Sequence, residues 1–256
     1  MSGLQVYELS HVFENSMPHY WAVPPFQHLY KSRLGETVRE HGITVASDIV
    51  VASLHTGTHI DAFSHVHVVG GGPDAPEPGP GGDELPILLR RGVLIDCRDA
   101  VSAGHVELSR SLLGEVVAER GLKLAAGDVV LVATGWDRHW PDQELYSGRN
   151  ARPPGVTVDG ATYLLEHGPV AVGADTPTLE PVTTGLQVHR LLLSERRVHI
   201  IENLLLSKLA DAGLASFVFA ALPLRIRGAT GSPLRAVALA GPSLPELVRL
   251  LPDGAA

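Results

Sequence analysis

The chain has 256 residues, of which 45% are apolar and 19% charged, and its formal net charge is −8. That length suits one large domain or two small ones, and the apolar share is enough to build a core. An acidic chain with a pI of 5.9 excludes nucleic acid and anionic membrane surfaces as partners, and no apolar run reaches the roughly 20 residues that span a bilayer.

No signal peptide precedes Val6, so the expected location is cytoplasmic. A single cysteine, Cys97, rules out an intramolecular disulfide; it follows the strand-like run Gly92-Val93-Leu94-Ile95-Asp96 and is expected to be a buried thiol. The low charged content leaves much neutral surface, which predicts a homodimer or homotetramer acting on a small-molecule substrate.

Taken in chain order, the first feature is the apolar run Ile49-Val50-Val51-Ala52, read as a strand ending near Leu54. A histidine-rich segment follows directly. Residues 70–83 then hold six glycines and four prolines. No regular element fits there, so the stretch is a surface loop or a lid that starts five residues after His65. A strand is predicted at residues 92–96, a helix at 109–120 stopped by Gly121, and a strand at 128–134. A second long loop, 146–154, can border a cavity. Next come a helix at 159–167, capped by Asp159 and stopped by Gly168-Pro169, a strand at 170–174 and a helix at 187–195. Strands at 198–201, 217–226 and 236–240 and a helix at 243–251 complete the chain. Most of the strands are continuous runs of Val, Ile and Leu, the pattern of strands buried on both faces. Their alternation with helices from about residue 90 gives an α/β or mixed α+β class.

The segment Ser53-Leu54-His55-Thr56-Gly57-Thr58-His59-Ile60-Asp61-Ala62-Phe63-Ser64-His65 carries the chemistry. Imidazole nitrogens and carboxylate oxygens are the ligands of zinc, manganese or iron. In a helix His55 and His59 would lie one turn apart, but Gly57 and Thr58 are poor helix residues. A straight strand would hold His55 and Asp61 about 20 Å apart, too far to share an ion. The chain must therefore bend, and Gly57 is the natural place. His55, His59 and Asp61 are thus expected to fold round one cation, with His65 facing the same cavity without binding metal. Three protein ligands leave coordination positions for water and substrate, the mark of a catalytic rather than a structural ion.

His55-Thr56-Gly57-Thr58-His59-Ile60-Asp61 followed by His65 is similar to the His-x-Gly-Thr-His-x-Asp-x-x-x-His signature of the metal-dependent cyclase family, which includes bacterial kynurenine formamidase and isatin hydrolase. Further segments resemble the family in order along the chain: Glu8-Leu9-Ser10-His11 with Met17-Pro18, Thr134-Gly135-Trp136, Gly173-Ala174-Asp175-Thr176-Pro177, Ile201-Glu202-Asn203-Leu204 and Gly231-Ser232-Pro233-Leu234-Arg235-Ala236. Where many members carry Pro-Gly-Asp, this chain has Trp21-Ala22-Val23 before Pro24-Pro25. That segment is expected to line the pocket, so the bulky apolar replacement bears on substrate rather than on chemistry.

The resemblance implies a single domain over residues 1–256 with the swivelling β/β/α fold and a central barrel-like sheet. It implies that His65 is the general acid/base, moving a proton from water to the leaving nitrogen. It also places His189 and Glu202 at a second metal position bridged by Asp61, giving one or two Zn²⁺ or Mn²⁺ per chain. Glu202 lies inside the apolar run 198–206, where a carboxylate is costly without a partner or a cation. If only one ion binds, His189 and Glu202 instead hold a ligand in place or touch substrate. Trp21 and Phe63 are candidates for contact with an aromatic substrate, or core residues. Ser232 can hydrogen-bond substrate or simply close its turn. Asp175 can hold a metal-ligating histidine or cap a turn, and Arg235 can pair with a substrate carboxylate or a structural acid.

The activity expected is metal-dependent hydrolysis of a carbon–nitrogen bond in an aryl formamide or cyclic amide. The alternative is a cyclase or dehydratase acting on a polyketide-like or other natural-product intermediate. A non-catalytic metal-binding scaffold would not need His65. There is no Gly-x-Ser-x-Gly elbow, no His-Glu-x-x-His and no Gly-x-x-x-x-Gly-Lys, which argues against the serine hydrolases, zincins and P-loop enzymes.

Overall fold

The five residues Val129–Ala133 show how the molecule is layered. All are buried. Val129, Leu131 and Ala133 pack with Leu94, Ile201 and Phe217 on one face. Val130 and Val132 pack on the other with Leu113, Leu164 and Leu192 from the helices. A strand covered on both faces has no polar side to show, hence the unbroken apolar run.

The computed structural model describes residues 3–68, 78–149 and 151–241. Its strands are β1 (Gln5–Glu8), β2 (Gln27–Ser32), β3 (Ser47–Val51), β4 (His59–Asp61), β5 (Leu88–Asp96), β6 (Glu107–Leu108), β7 (Val129–Ala133), β8 (Gly155–Val156), β9 (Ala171–Ala174), β10 (His199–Glu202), β11 (Ser216–Ala221), β12 (Gly231–Pro233) and β13 (Val237–Ala240). Nine of them form one sheet in the order β1-β13-β11-β5-β7-β9-β10-β4-β12. The four central strands, β5, β7, β9 and β10, run parallel. Both flanks are antiparallel. The sheet curls into a half-barrel, and the whole is a mixed α+β fold of the swivelling β/β/α kind. Helices Arg110–Glu119 and Val158–Leu165 pack together over the sheet on the Leu113 side. Among the described residues no helix is long and apolar enough to cross a membrane.

The expected central strands are all present, with bounds moved by local chemistry. The strand expected over 217–226 ends at Ala221, because Pro223 has no N–H to give the ladder. The helix expected over 187–195 is one α-turn, Gln187–His189, running into a π-helical stretch, Arg190–Glu195. Thr157, not Asp159, caps helix Val158–Leu165: its backbone is extended and its hydroxyl accepts from the Gly160 N–H. The Asp159 carboxylate instead accepts from the Thr157 hydroxyl and from the backbone N–H of Arg110, tying one helix to the start of the other. The helix expected over 243–251 lies outside the described residues. So do positions 70–77 of the expected lid; its remainder, 78–83, leads into a short 3₁₀ turn at Gly82–Glu84. Cys97 is fully buried, and burial beside Asp96 pushes its thiol up to about 12, so it stays protonated and inert.

The apolar run near residue 50 is the largest departure. It forms β3, ends at Val51 and, among the described residues, pairs only with β2 in a separate ribbon. Ile49, Val50 and Val51 are each more than half exposed.

The parallel core is clamped at one end by an ion pair. Arg91 on β5 grips Asp128, just before β7, with Nε to Oδ1 at 2.8 Å and Nη2 to Oδ2 at 2.7 Å. Asp128 is 1% exposed, so loss of the guanidinium leaves a buried carboxylate with the Ala125 N–H as its remaining donor. Arg91→Met should lower stability by about 3 kcal/mol. Urea unfolding checks this, and a loss under about 1 kcal/mol would show that the pair does not clamp β5 to β7.

Candidate metal centre

β4 is only three residues long, and its alternation separates core from site. Ile60 is fully buried in the core cluster, while His59 and Asp61 share the opposite face. β4 lies between β10 and β12, in a register that sets Glu202 opposite His59 and Gly231 opposite Asp61. Directly opposed residues share a face with Cβ atoms about 5 Å apart. Three ionisable side chains from two strands therefore meet: His59 Nε2 is 3.4 Å from Asp61 Oδ1 and 3.4 Å from Glu202 Oε2.

The turn into β4 holds this geometry. Gly57 has φ of +69°, and a Cβ there would lie 2.6 Å from the Phe13 ring. Its carbonyl accepts from His59 Nδ1 at 2.8 Å. A carbonyl cannot donate, so Nδ1 carries the proton and Nε2 keeps its lone pair for the site. The Thr58 hydroxyl donates to the Asn203 carbonyl at 2.6 Å, binding the turn to the end of β10. His55 folds back over β12, where Gly231 makes room; a Cβ there would lie 2.8 Å from His55 Cε1. His55 Nδ1 is 2.8 Å from Asp61 Oδ1, and its Nε2 is 2.8 Å from Thr230 Oγ1.

His189 arrives from the helical side. Its Nε2 is 3.2 Å from Glu202 Oε1 and 3.7 Å from Asp61 Oδ2. Its Nδ1 donates to Glu180 Oε1 at 2.5 Å. Glu180, itself buried, also accepts the backbone N–H groups of Val188 and His189 and the Thr184 hydroxyl. Glu202 Oε1 accepts the Leu179 N–H at 2.9 Å. The half-buried His65 stacks on His55, with ring centroids 3.9 Å apart, and presents an edge to His189 at 6.1 Å. Sequence spacing alone grouped His55, His59 and Asp61. The folded chain offers two overlapping groups, His55–Asp61–His65 and His59–Asp61–Glu202, with the donor atoms of each within 4.8 Å of one another.

These residues fit a divalent cation. His59 Nε2 and Asp61 Oδ2 are buried and, among the described residues, have no hydrogen-bond partner, a costly state for polar atoms unless an ion takes them up. The field also suits positive charge. Burial opposes charging of His59 and His189, yet Glu180, Glu202 and Asp61 overcome it and raise His189 to about 10; Asp61 and Glu202 likewise raise His59. Burial also disfavours the Asp61 anion, but His55 and His59 hold its carboxyl well below the usual range. His65 moves the other way. Burial lowers its pKa, and the neighbouring His55 and His189 add to the effect against the opposing pull of Asp61 and Glu202, which favours the neutral ring.

The remaining expected residues fall elsewhere. The Ser232 hydroxyl is committed to backbone, accepting from the Leu224 N–H and donating to the Pro233 carbonyl, so it closes the turn. Phe63 stacks on His199 at 4.0 Å rather than facing the cluster. Trp21 is largely exposed, in a hollow of about 270 Å³ shared with Arg152 and Pro153 of the loop expected to border a cavity. Asp175 holds no histidine; it accepts from the Thr134 and Gly135 backbone and the Thr134 hydroxyl. Arg235 pairs with Glu8. Sequence reasoning missed Glu180, because nothing in the spacing joins a loop carboxylate to a helical imidazole nine residues on.

A family model described as "Putative cyclase" matches residues 7–181. An isatin hydrolase of Roseibium aggregatum is 28% identical over 199 residues, covering 74% of this chain and 73% of that protein. A kynurenine formamidase of Bacillus anthracis is 30% identical over 187 residues, covering 72% and 76%. Among solved structures, a crystal structure described as a novel cyclase superposes with a TM-score of 0.80 at 26% identity, covering 91% of this chain and 88% of the other.

Glu180 fixes the His189 ring without offering itself to the cluster. Glu180→Gln should leave the fold intact and weaken metal binding about 10–100-fold. Titration of chelator-treated protein with Zn²⁺ or Mn²⁺ measures this, and unchanged affinity would remove Glu180 from the orientation of His189.

Proposed function

Because this chain belongs to the cyclase family that its residues 7–181 match, we propose that it is a metal-dependent amidohydrolase that cleaves the carbon–nitrogen bond of an aryl formamide or cyclic amide. The observation that carries this is the pair of buried, unpartnered atoms, His59 Nε2 and Asp61 Oδ2, in a cluster closed by Glu202. Relatives named isatin hydrolase and kynurenine formamidase support the substrate class.

His55, His59, Asp61, His189 and Glu202 would hold one or two Zn²⁺ or Mn²⁺. Such an ion would polarise a carbonyl oxygen and make coordinated water acidic. Asp61 would serve both halves of the cluster, its Oδ1 facing His55 and His59 and its Oδ2 facing His189. His65, stacked on His55 at the half-buried side, takes a proton from the attacking water and returns it to the leaving nitrogen. Water oxygen bonds to the carbonyl carbon and the C–N bond breaks, giving formate and an amine from a formamide, or one ring-opened amino carboxylate from a cyclic amide. Of the aromatic candidates, Trp21 is the one left exposed to meet substrate. The second activity, cyclisation or dehydration of a natural-product intermediate, has the family's cyclase description in its favour. Hydrolysis in ¹⁸O-labelled water separates the two: mass spectrometry should find label in the carboxylate product, and an unlabelled cyclised product would favour the cyclase.

The protein is proposed to work in the cytoplasm as a homodimer or homotetramer. The β2–β3 ribbon supports assembly. Leu29, Ile49, Val50 and Val51 are largely uncovered on it, and a lone two-stranded ribbon is marginal in water. Over residues 27–51, Lys31, Arg33 and Arg39 balance Glu36, Glu40 and Asp48. The arm is thus neutral in a chain of net charge −8, and two copies can meet there without repulsion.

His65→Asn should keep the full metal complement of the wild type and lose about 10²–10⁴-fold in kcat. Elemental analysis and turnover on N-formylkynurenine and isatin check both halves. Loss of metal would make His65 a ligand, and near-normal turnover would remove it from proton transfer.

Replacing Ile49 and Val51 together by Asp should shift the protein to monomer in analytical ultracentrifugation, with its circular dichroism retained. A wild-type protein that already sediments as a monomer would refute the arm as an assembly surface.

A further inference from the structure

A second cavity, of about 450 Å³, lies at the opposite end of β10 from Glu202. Its walls come from Phe63, the start of β5, the turn before β9 and the turn Arg196–Val198 before β10. His199 and Glu202 are three residues apart, roughly 10 Å along a strand, so this cavity is separate from the metal cluster but shares its scaffold. His199 makes the join: it lines the cavity, and its Nδ1 donates to the Asp61 carbonyl at 2.9 Å.

Arg90 and Arg196 line the cavity beside Arg197, and among the described residues no aspartate or glutamate lines it. That is a marked local reversal in a chain of net charge −8. Arg90 Nε is buried and lacks a hydrogen-bond partner among the described residues, and a buried guanidinium donor calls for an acceptor. The rest of the wall is apolar and aromatic. Phe63 and His199 stack nearly parallel, 13° apart, with Arg197 lying 5.6 Å from the Phe63 ring. Leu88, Leu165 and Pro169 complete an apolar floor. Inorganic phosphate would satisfy the guanidinium groups and leave this floor uncovered. A ligand carrying both a carboxylate and a flat apolar body meets both halves.

We propose that this cavity is a binding site for a small aromatic carboxylate, with the carboxylate on Arg90 and Arg196 and the ring over Phe63. The metal centre is not needed for it. The test is ligand-observed NMR with benzoate as the probe, on the full chain as purified and after chelation. Benzoate should bind equally in both. Arg196→Ala and Arg90→Met should each weaken it about tenfold or more, and Phe63→Ala should weaken it without loss of circular dichroism. Benzyl alcohol, which lacks the carboxylate, should not compete. Binding that disappears on chelation would assign benzoate to the metal centre and overturn the proposal. Equal affinity in wild type and Arg196→Ala, or displacement of benzoate by an equal concentration of phosphate, would overturn it as well.

Discussion

Two carboxylates, Asp61 and Glu202, are buried side by side at the end of one strand pair, and the rest of the site follows from what that burial requires. Anions removed from water need compensating positive charge. The chain sets imidazoles round them: His55 and His59 from the turn and β4, His189 from the helix, His65 stacked outside. Hydrogen bonds from the ring nitrogens of His59 and His189 to Gly57 and Glu180 turn the other nitrogen of each ring toward the carboxylates. Such a cluster is poor stability engineering, since well-packed apolar residues would do as well or better. Its retention in a dry setting is understandable as chemistry.

The sheet makes that setting affordable in structural terms. Four parallel strands with both faces covered form a rigid slab, and the short antiparallel β4 and β12 are stitched to its edge. The stitching is dense. Thr58 binds Asn203, His199 binds the Asp61 carbonyl, and the buried hydroxyl of Tyr146 donates to Asn203 Oδ1. Asn203 itself sits at φ of +56°, a conformation in which an asparagine side chain is among the better tolerated. Side chains held this way keep their geometry when a charged group enters or leaves.

Charge is partitioned over the molecule. The net excess is acidic, the ribbon arm is neutral, and the cavity behind His199 is basic. Each local balance suits the partner proposed for it: a cation at the carboxylates, a second copy of the chain at the arm, an organic anion at the arginines.

Much of this was legible in the sequence because it is local. Apolar runs marked six strands of the large sheet, most of them unbroken, since a strand covered on both faces has no polar positions to hide it. The density of His55, His59, Asp61 and His65 around Gly57 marked a cluster of histidine and carboxylate groups and its bend. What was not legible depends on partners distant in the chain. β4 is too short for any periodicity to show. The meeting of Glu202 with His59 depends on a strand register, and that of Glu180 with His189 on the path of a loop. Ile49-Val50-Val51 has the composition of a core strand yet stands in solvent, while Ser232 and Phe63, though beside the right motifs, turn to backbone and to His199. Composition and spacing determine which backbone shapes and which chemistry a segment can adopt; which faces are covered, and which charges meet, is decided only when segments far apart in the chain pack together.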